Sequence, residues 1–90
     1  MTQIIQIHPD DNVAVVPAEI AVGVDLEQQN GDSITATTDI PRNHKVALAD
    51  LDTGAPVIKY GVYIGAATQP ITRGEHIHIH NMNLDEKKEN

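Results

Sequence analysis

His76-Ile77-His78-Ile79-His80-Asn81 alternates polar and apolar residues one for one. Strict alternation is the period of a β-strand, in which residues i and i+2 share a face. The spacing predicts a closing strand with His76, His78 and His80 on one face and Ile77 and Ile79 on the other. Same-face neighbours have Cα atoms roughly 6.5–7 Å apart. Two imidazoles at that spacing can share one metal ion or flank one substrate. The plain alternative is a polar strand face over an apolar core.

Outward from this segment the chain keeps the same short β vocabulary. Gln3–Ile7 and Val13–Val16 read as strands around a His8-Pro9-Asp10-Asp11-Asn12 turn, and Pro17 stops the second strand. Asn30-Gly31-Asp32 has hairpin-turn chemistry, because Asn and Gly tolerate positive φ. Further strands are predicted at Ser33–Thr37, Lys45–Leu48 (Val46 and Leu48 inward), Val57–Tyr60 and Val62–Ile64. Ala47 to Leu51 is long enough for a single helical turn, and no stretch has the apolar spacing of a long amphipathic helix. A weak repeat runs through these segments: Ile20-x-x-Gly23-x-x-Leu26, Ile40-x-x-Asn43-x-x-Val46 and Ile71-x-x-Gly74-x-x-Ile77. Each copy reads as an apolar anchor, a tight turn and a strand entry. The fold class expected is mostly β, with short strands and long turns. Residues 1–82 form one domain in this reading, and 83–90 form a charged, flexible tail.

Composition narrows the function classes. Ninety residues make one small domain, with Tyr60 and Tyr63 as its aromatic rings and no Cys. The core must be Ile, Val, Leu and Ala, and neither a disulfide nor a Cys-based metal site is possible. So thin a core suggests that a partner surface adds stability, or that an exposed apolar face drives homo-oligomers when the chain is isolated. A net charge of −7 and the scarcity of aromatics argue against nucleic-acid binding. No apolar run is long enough to cross a bilayer and no signal peptide is visible, so a cytoplasmic location is expected.

Three clusters have chemical potential: His78, His80 and Asn81 with His76 beside them; His44-Lys45; and Lys59-Tyr60-Gly61. Neutral histidines ligate metals or act as general bases. Lys and Tyr can hold a carboxylate or stabilise an enolate. Taken singly, each has a bland reading: solvated lysines, Tyr60 filling the core, His44 capping a turn, His8 beside Pro9 serving its turn. Asp10-Asp11-Asn12 could coordinate a metal, but more often such a run bonds its own backbone. The single Ser33 has no nucleophile-elbow context, and phosphate-binding glycine loops are absent. A complete active site in so small a chain is improbable, and half of one, completed by another chain, fits better.

The ordered motifs are His8-Pro9-Asp10-Asp11-Asn12-Val13-Ala14-Val15, Ile40-Pro41-Arg42-Asn43-His44-Lys45-Val46-Ala47-Leu48, Val57-Ile58-Lys59-Tyr60-Gly61-Val62-Tyr63-Ile64-Gly65 and Gly74-Glu75-His76-Ile77-His78-Ile79-His80-Asn81. Together they resemble the small SAF-type module of the altronate and galactarate dehydratase family, with similarity also to the small subunit of sulfolactate sulfo-lyase. The resemblance implies an SAF-like β-clip fold. It also implies a role as the small subunit of a two-part lyase, completed by a large catalytic subunit and acting on an anionic hydroxy acid. On the matching positions it implies His78, His80 and His44 as catalytic residues, with Lys45, Lys59, Tyr60 and Asn81 binding substrate. It implies a divalent metal (iron, manganese or magnesium), with His78 and His80, and His76 as a third, as candidate ligands, or with the partner subunit as its main holder. Two positions depart from the family: Asn43 where Gly is usual, and His76 where an apolar or aromatic residue is common. The alternatives are a non-catalytic module that binds a sugar acid or metal and regulates an enzyme, and a purely structural subunit whose histidines face solvent.

Overall fold

In the computed structural model, residues 2–84 are described. Nine short strands form three three-stranded sheets. β1 (Thr2–Gln3), β3 (Asp25–Glu27) and β4 (Ser33–Thr35) make the first. β2 (Val13–Val15), β5 (Lys45–Ala47) and β8 (His76–Ile77) make the second, antiparallel throughout. β6 (Pro56–Lys59), β7 (Val62–Ala67) and β9 (Met82–Leu84) make the third. The mostly β expectation therefore holds, and the single helical turn considered for Ala47–Leu51 is not formed. No helix is long and apolar enough to cross a membrane among the described residues.

The middle sheet is buried on both faces. Ala14 and Val46 join one apolar cluster with Ile4, Ile20, Leu26 and Ile40. Val13, Ala47 and Ile77 join a second with Leu51, Val57 and Ile71. Successive side chains on β2 and β5 thus feed opposite cores, which the period of two requires. Val46 and Leu48 face the same cluster as expected, Leu48 only partly buried at its edge, while Ala47 between them faces the other.

The weak repeat is structural, and it has a fourth copy, Leu51-x-x-Gly54-x-x-Val57. Ile20 pairs with Ile40 and Leu51 with Ile71 as two-residue bridges. After each anchor comes a turn closed by an i to i+3 bond: Val24 to Ala21, His44 to Pro41, Ala55 to Asp52 and Glu75 to Thr72. The third turn residue is left-handed every time: Gly23, Asn43, Gly54 and Gly74 have φ of 89°, 67°, 88° and 91°. That geometry belongs to a type II turn, where Gly or Asn is favoured. Asn43 therefore keeps the turn, as expected of a side chain that tolerates this region.

Two boundaries move. The closing strand stops at Ile77 and does not continue to His80. Ile79, expected in the core, is 72% exposed. β9 then pairs with β7 through Met82↔Ala67 to Leu84↔Gly65, so the domain runs past the expected end at residue 82. The remainder of the predicted tail, 85–90, lies outside the described residues.

Candidate functional site

Turns two and four of the repeat carry the histidines. The second turn delivers His44 and Lys45 into β5, and the fourth delivers His76 into β8, where it pairs with Val46. After Ile77 the chain folds over a turn in which Asn81 N–H donates to the His78 carbonyl at 3.1 Å. The Asn81 side chain completes it: Oδ1 accepts from His78 N–H at 3.0 Å, and Nδ2 donates to the His76 carbonyl at 2.8 Å and to Glu75 Oε2 at 3.3 Å. Asn81 is 0% exposed. Its side chain holds the turn that presents His78 and His80. We expect Asn81→Ala to lower unfolding free energy by about 2 kcal/mol in urea melts, because it strands buried backbone groups.

The imidazoles meet despite the shortened strand. His44 Nδ1 and His76 Nε2 are 2.8 Å apart. The His44 and His78 rings stack at 4.6 Å between centroids, and His76 lies 5.0 Å from the His80 ring. Burial, then His80, His44, His78 and Lys45, push His76 down to about 4. Burial, followed by His44, Lys45 and His80, also holds His78 below its ordinary value. Both are neutral near pH 7, so each can accept a proton. Lys45 is half-buried, and burial followed by the Lys59 charge lowers its pKa. Lys59 lies with its ammonium 4.9 Å from the Tyr60 ring centroid. Tyr60 does not fill the core; it is 54% exposed. The lysines of two separate sequence clusters and four of the five histidines therefore occupy one region of an otherwise acidic chain.

The proton balance has a measurable consequence. For His76 and His78 the folded-state pKa is below that of the unfolded chain, so unfolding takes up protons in acid. Their contribution to stability is complete above about pH 6.5 and is lost as pH falls toward the His76 value of about 4. The urea midpoint should hold steady from pH 7 to 8 and decline through that window. The limiting slope is ~1.4 kcal/mol per pH unit for each proton, reduced by solvent screening. His76→Leu should flatten the decline.

Among the described residues, no three His, Cys, Asp or Glu converge on a point able to hold an ion. His76, His78 and His80 are packed ring against ring instead. His8 stays in its turn, accepting from Asp10 N–H at 3.1 Å, with its ring against Gly61. A groove of about 400 Å³ also reaches His76, lined by Glu19, Ile20, Ala21, Asp39, Ile40 and Pro41. Sequence reasoning did not find it, since its walls come from two bridged anchors twenty residues apart with no motif of their own.

Comparison with known proteins places these features. The chain is 47% identical over 79 residues to the altronate dehydratase of Escherichia coli, covering 88% of this chain and 16% of that protein. It is 43% identical over 81 residues to the altronate dehydratase of Bacillus subtilis, covering 90% and 16%. It is 38% identical over 79 residues to (2R)-sulfolactate sulfo-lyase subunit alpha of Chromohalobacter salexigens, covering 81% of this chain and 84% of that subunit. The chain thus spans about one sixth of the length of the altronate dehydratases but most of the length of the sulfo-lyase subunit. The altronate/galactarate dehydratase SAF domain matches residues 2–85, and the chain belongs to that family.

Proposed function

We propose that this chain is the small subunit of a two-part lyase and that its histidine–lysine face forms half of the active site. The reading rests on one observation. Residues 44–45, 59–60 and 76–80, far apart in sequence, gather into one patch of imidazoles and lysines on a chain of net charge −7. Likeness to a named lyase subunit over most of that subunit's length supports a split enzyme. The substrate class is an anionic hydroxy acid, from which water or sulfite is eliminated.

Elimination beside a carboxylate needs a cation near the developing enolate and a base for the α-proton. Lys45 and Lys59 supply the positive charge, and Tyr60 orients the bound anion. His78, kept neutral, takes or returns the proton, with His80 and His44 beside it. The divalent metal expected for the family is assigned to the large subunit, and no step here passes through it.

The test is co-purification of the tagged chain from its native host, then assay with altronate, galactarate and sulfolactate. Recovery of a large partner with 2-keto-acid or sulfite-releasing activity is the expected result. Recovery of the chain alone, binding ligand or metal without turnover, would instead favour a regulatory binding module.

A further inference from the structure

β6 and β7 are joined by two residues only, Tyr60 and Gly61, and both are left-handed, with φ of 57° and 73°. A two-residue link with two positive φ values is a type I′ turn, which favours Asn-Gly, Asp-Gly or Gly-Gly. A Tyr at the first position is strained by Cβ contact with its own carbonyl. Its ring, 54% exposed, gains little from burial to offset that strain. The compensation comes from Asp11, which is only 6% exposed. Its Oδ1 accepts from Gly61 N–H at 2.7 Å and its Oδ2 accepts from His8 N–H at 3.1 Å. Burial raises the Asp11 pKa, but the backbone N–H groups around the carboxylate, Gly61 first, outweigh it and the net shift is downward. The group stays ionised, and hydrogen bonds to it are of the stronger, charge-assisted kind.

Asn12 fastens the base of the same hairpin. Its Nδ2 donates to the Pro56 carbonyl at 2.8 Å, and its Oδ1 accepts from Ile58 N–H at 2.8 Å. β2 begins at the next residue and pairs Val15 with Lys45. The Asp11-Asn12 pair therefore ties the Lys59-Tyr60 hairpin to the strand pair that carries Lys45. A Gly at position 60 would make this turn without a buried charge. A strained, exposed Tyr held by a buried carboxylate is explained when the side chains at 59 and 60 must stand at one place.

We propose that Asp11 is a positioning residue: its carboxylate holds the left-handed backbone of Tyr60-Gly61 and so fixes Lys59 and Tyr60 beside Lys45. This rests on the reading above only in taking that edge as ligand-facing.

The experiment compares full-length wild type, Asp11→Asn, Tyr60→Gly and the double variant by urea unfolding and by NMR titration of the Lys45 ammonium. Asp11→Asn should lower the urea midpoint by about 1 M and move the Lys45 titration upward, as Lys59 leaves its side. Loss of a negative charge alone would move it downward, so the sign separates repositioning from direct electrostatics. Tyr60→Gly in the Asp11→Asn background should recover the midpoint and return Lys45 toward its wild-type titration. A folded Asp11→Asn chain whose Lys45 titration is unmoved or lowered would overturn the proposal. So would a double variant no more stable than Asp11→Asn. If Asp11→Asn alone does not fold, a folded double variant supports the proposal and an unfolded one overturns it. No substrate enters these readouts, so they stand apart from whether the complex turns over.

Discussion

In a reconstituted complex with the large subunit, His78→Ala should lower kcat by about 10²–10⁴-fold, the usual contribution of a positioned general acid or base. The melting temperature of the small subunit should change little. His78 is a partly buried turn residue, and the hydrogen bonds that hold that turn use its backbone, not its ring. The imidazole packs on His44 at 4.6 Å between centroids, and burial lowers its pKa, so it is a ready base at neutral pH. His78→Gln, which keeps polarity and loses proton transfer, should fall with alanine. A structural role predicts instead that the loss appears in the urea midpoint, with kcat per folded complex preserved. Near-normal turnover of His78→Ala would remove this residue from the chemistry and return the site to a binding role.

The candidate residues could be named from the sequence because their types carry chemistry; the geometry that gathers them could not. Alternation in 76–80 correctly placed His76 and Ile77 in a strand and then failed at Ile79. Alternation reports only that neighbours point different ways, and a turn pinned by Asn81 satisfies the same pattern. The signal that separates the two is Asn81 itself, which can accept from a backbone N–H three residues back and so break a strand. Asp11 and Asn12 were correctly read as side chains bonding backbone, and Asp11 does bond His8 N–H in its own turn, but the other partners were not foreseen. Those partners, Gly61, Ile58 and Pro56, lie more than forty residues away. β3 was signalled only by the repeat, whose first copy enters a strand at Leu26, because Asp25-Leu26-Glu27 offers one apolar residue and its place is set by pairing with β1 and β4. The repeat was the most informative pattern after the histidines. Its fourth copy was missed because Leu51 and Val57 stand in for Ile and Leu at the same spacing, and spacing carried the signal.

The repeat leads to the largest stability effect expected in this chain. Gly23, Gly54 and Gly74 share nearly one φ, but only Gly74 is closely approached: a Cβ there would collide with the Thr35 carbonyl oxygen and press on Ile34. At Gly23 and Gly54 nothing lies within 4 Å of that position. Gly→Ala at those two sites should therefore cost only the left-handed penalty, about 1 kcal/mol each. Gly74→Ala adds displacement of backbone, for a total of about 4 kcal/mol. That is a large fraction of the roughly 5–13 kcal/mol expected for ninety residues. Gly74 is also a joint between two sheets: its N–H donates to the Ala47 carbonyl at 2.9 Å, and its carbonyl accepts from Thr37 N–H at 2.9 Å. Two residues later comes His76. Urea unfolding of the three variants separates the contributions directly. If Gly74→Ala proved no worse than Gly54→Ala, the close approach of β4 to the fourth turn would be wrong, and with it the support beneath His76.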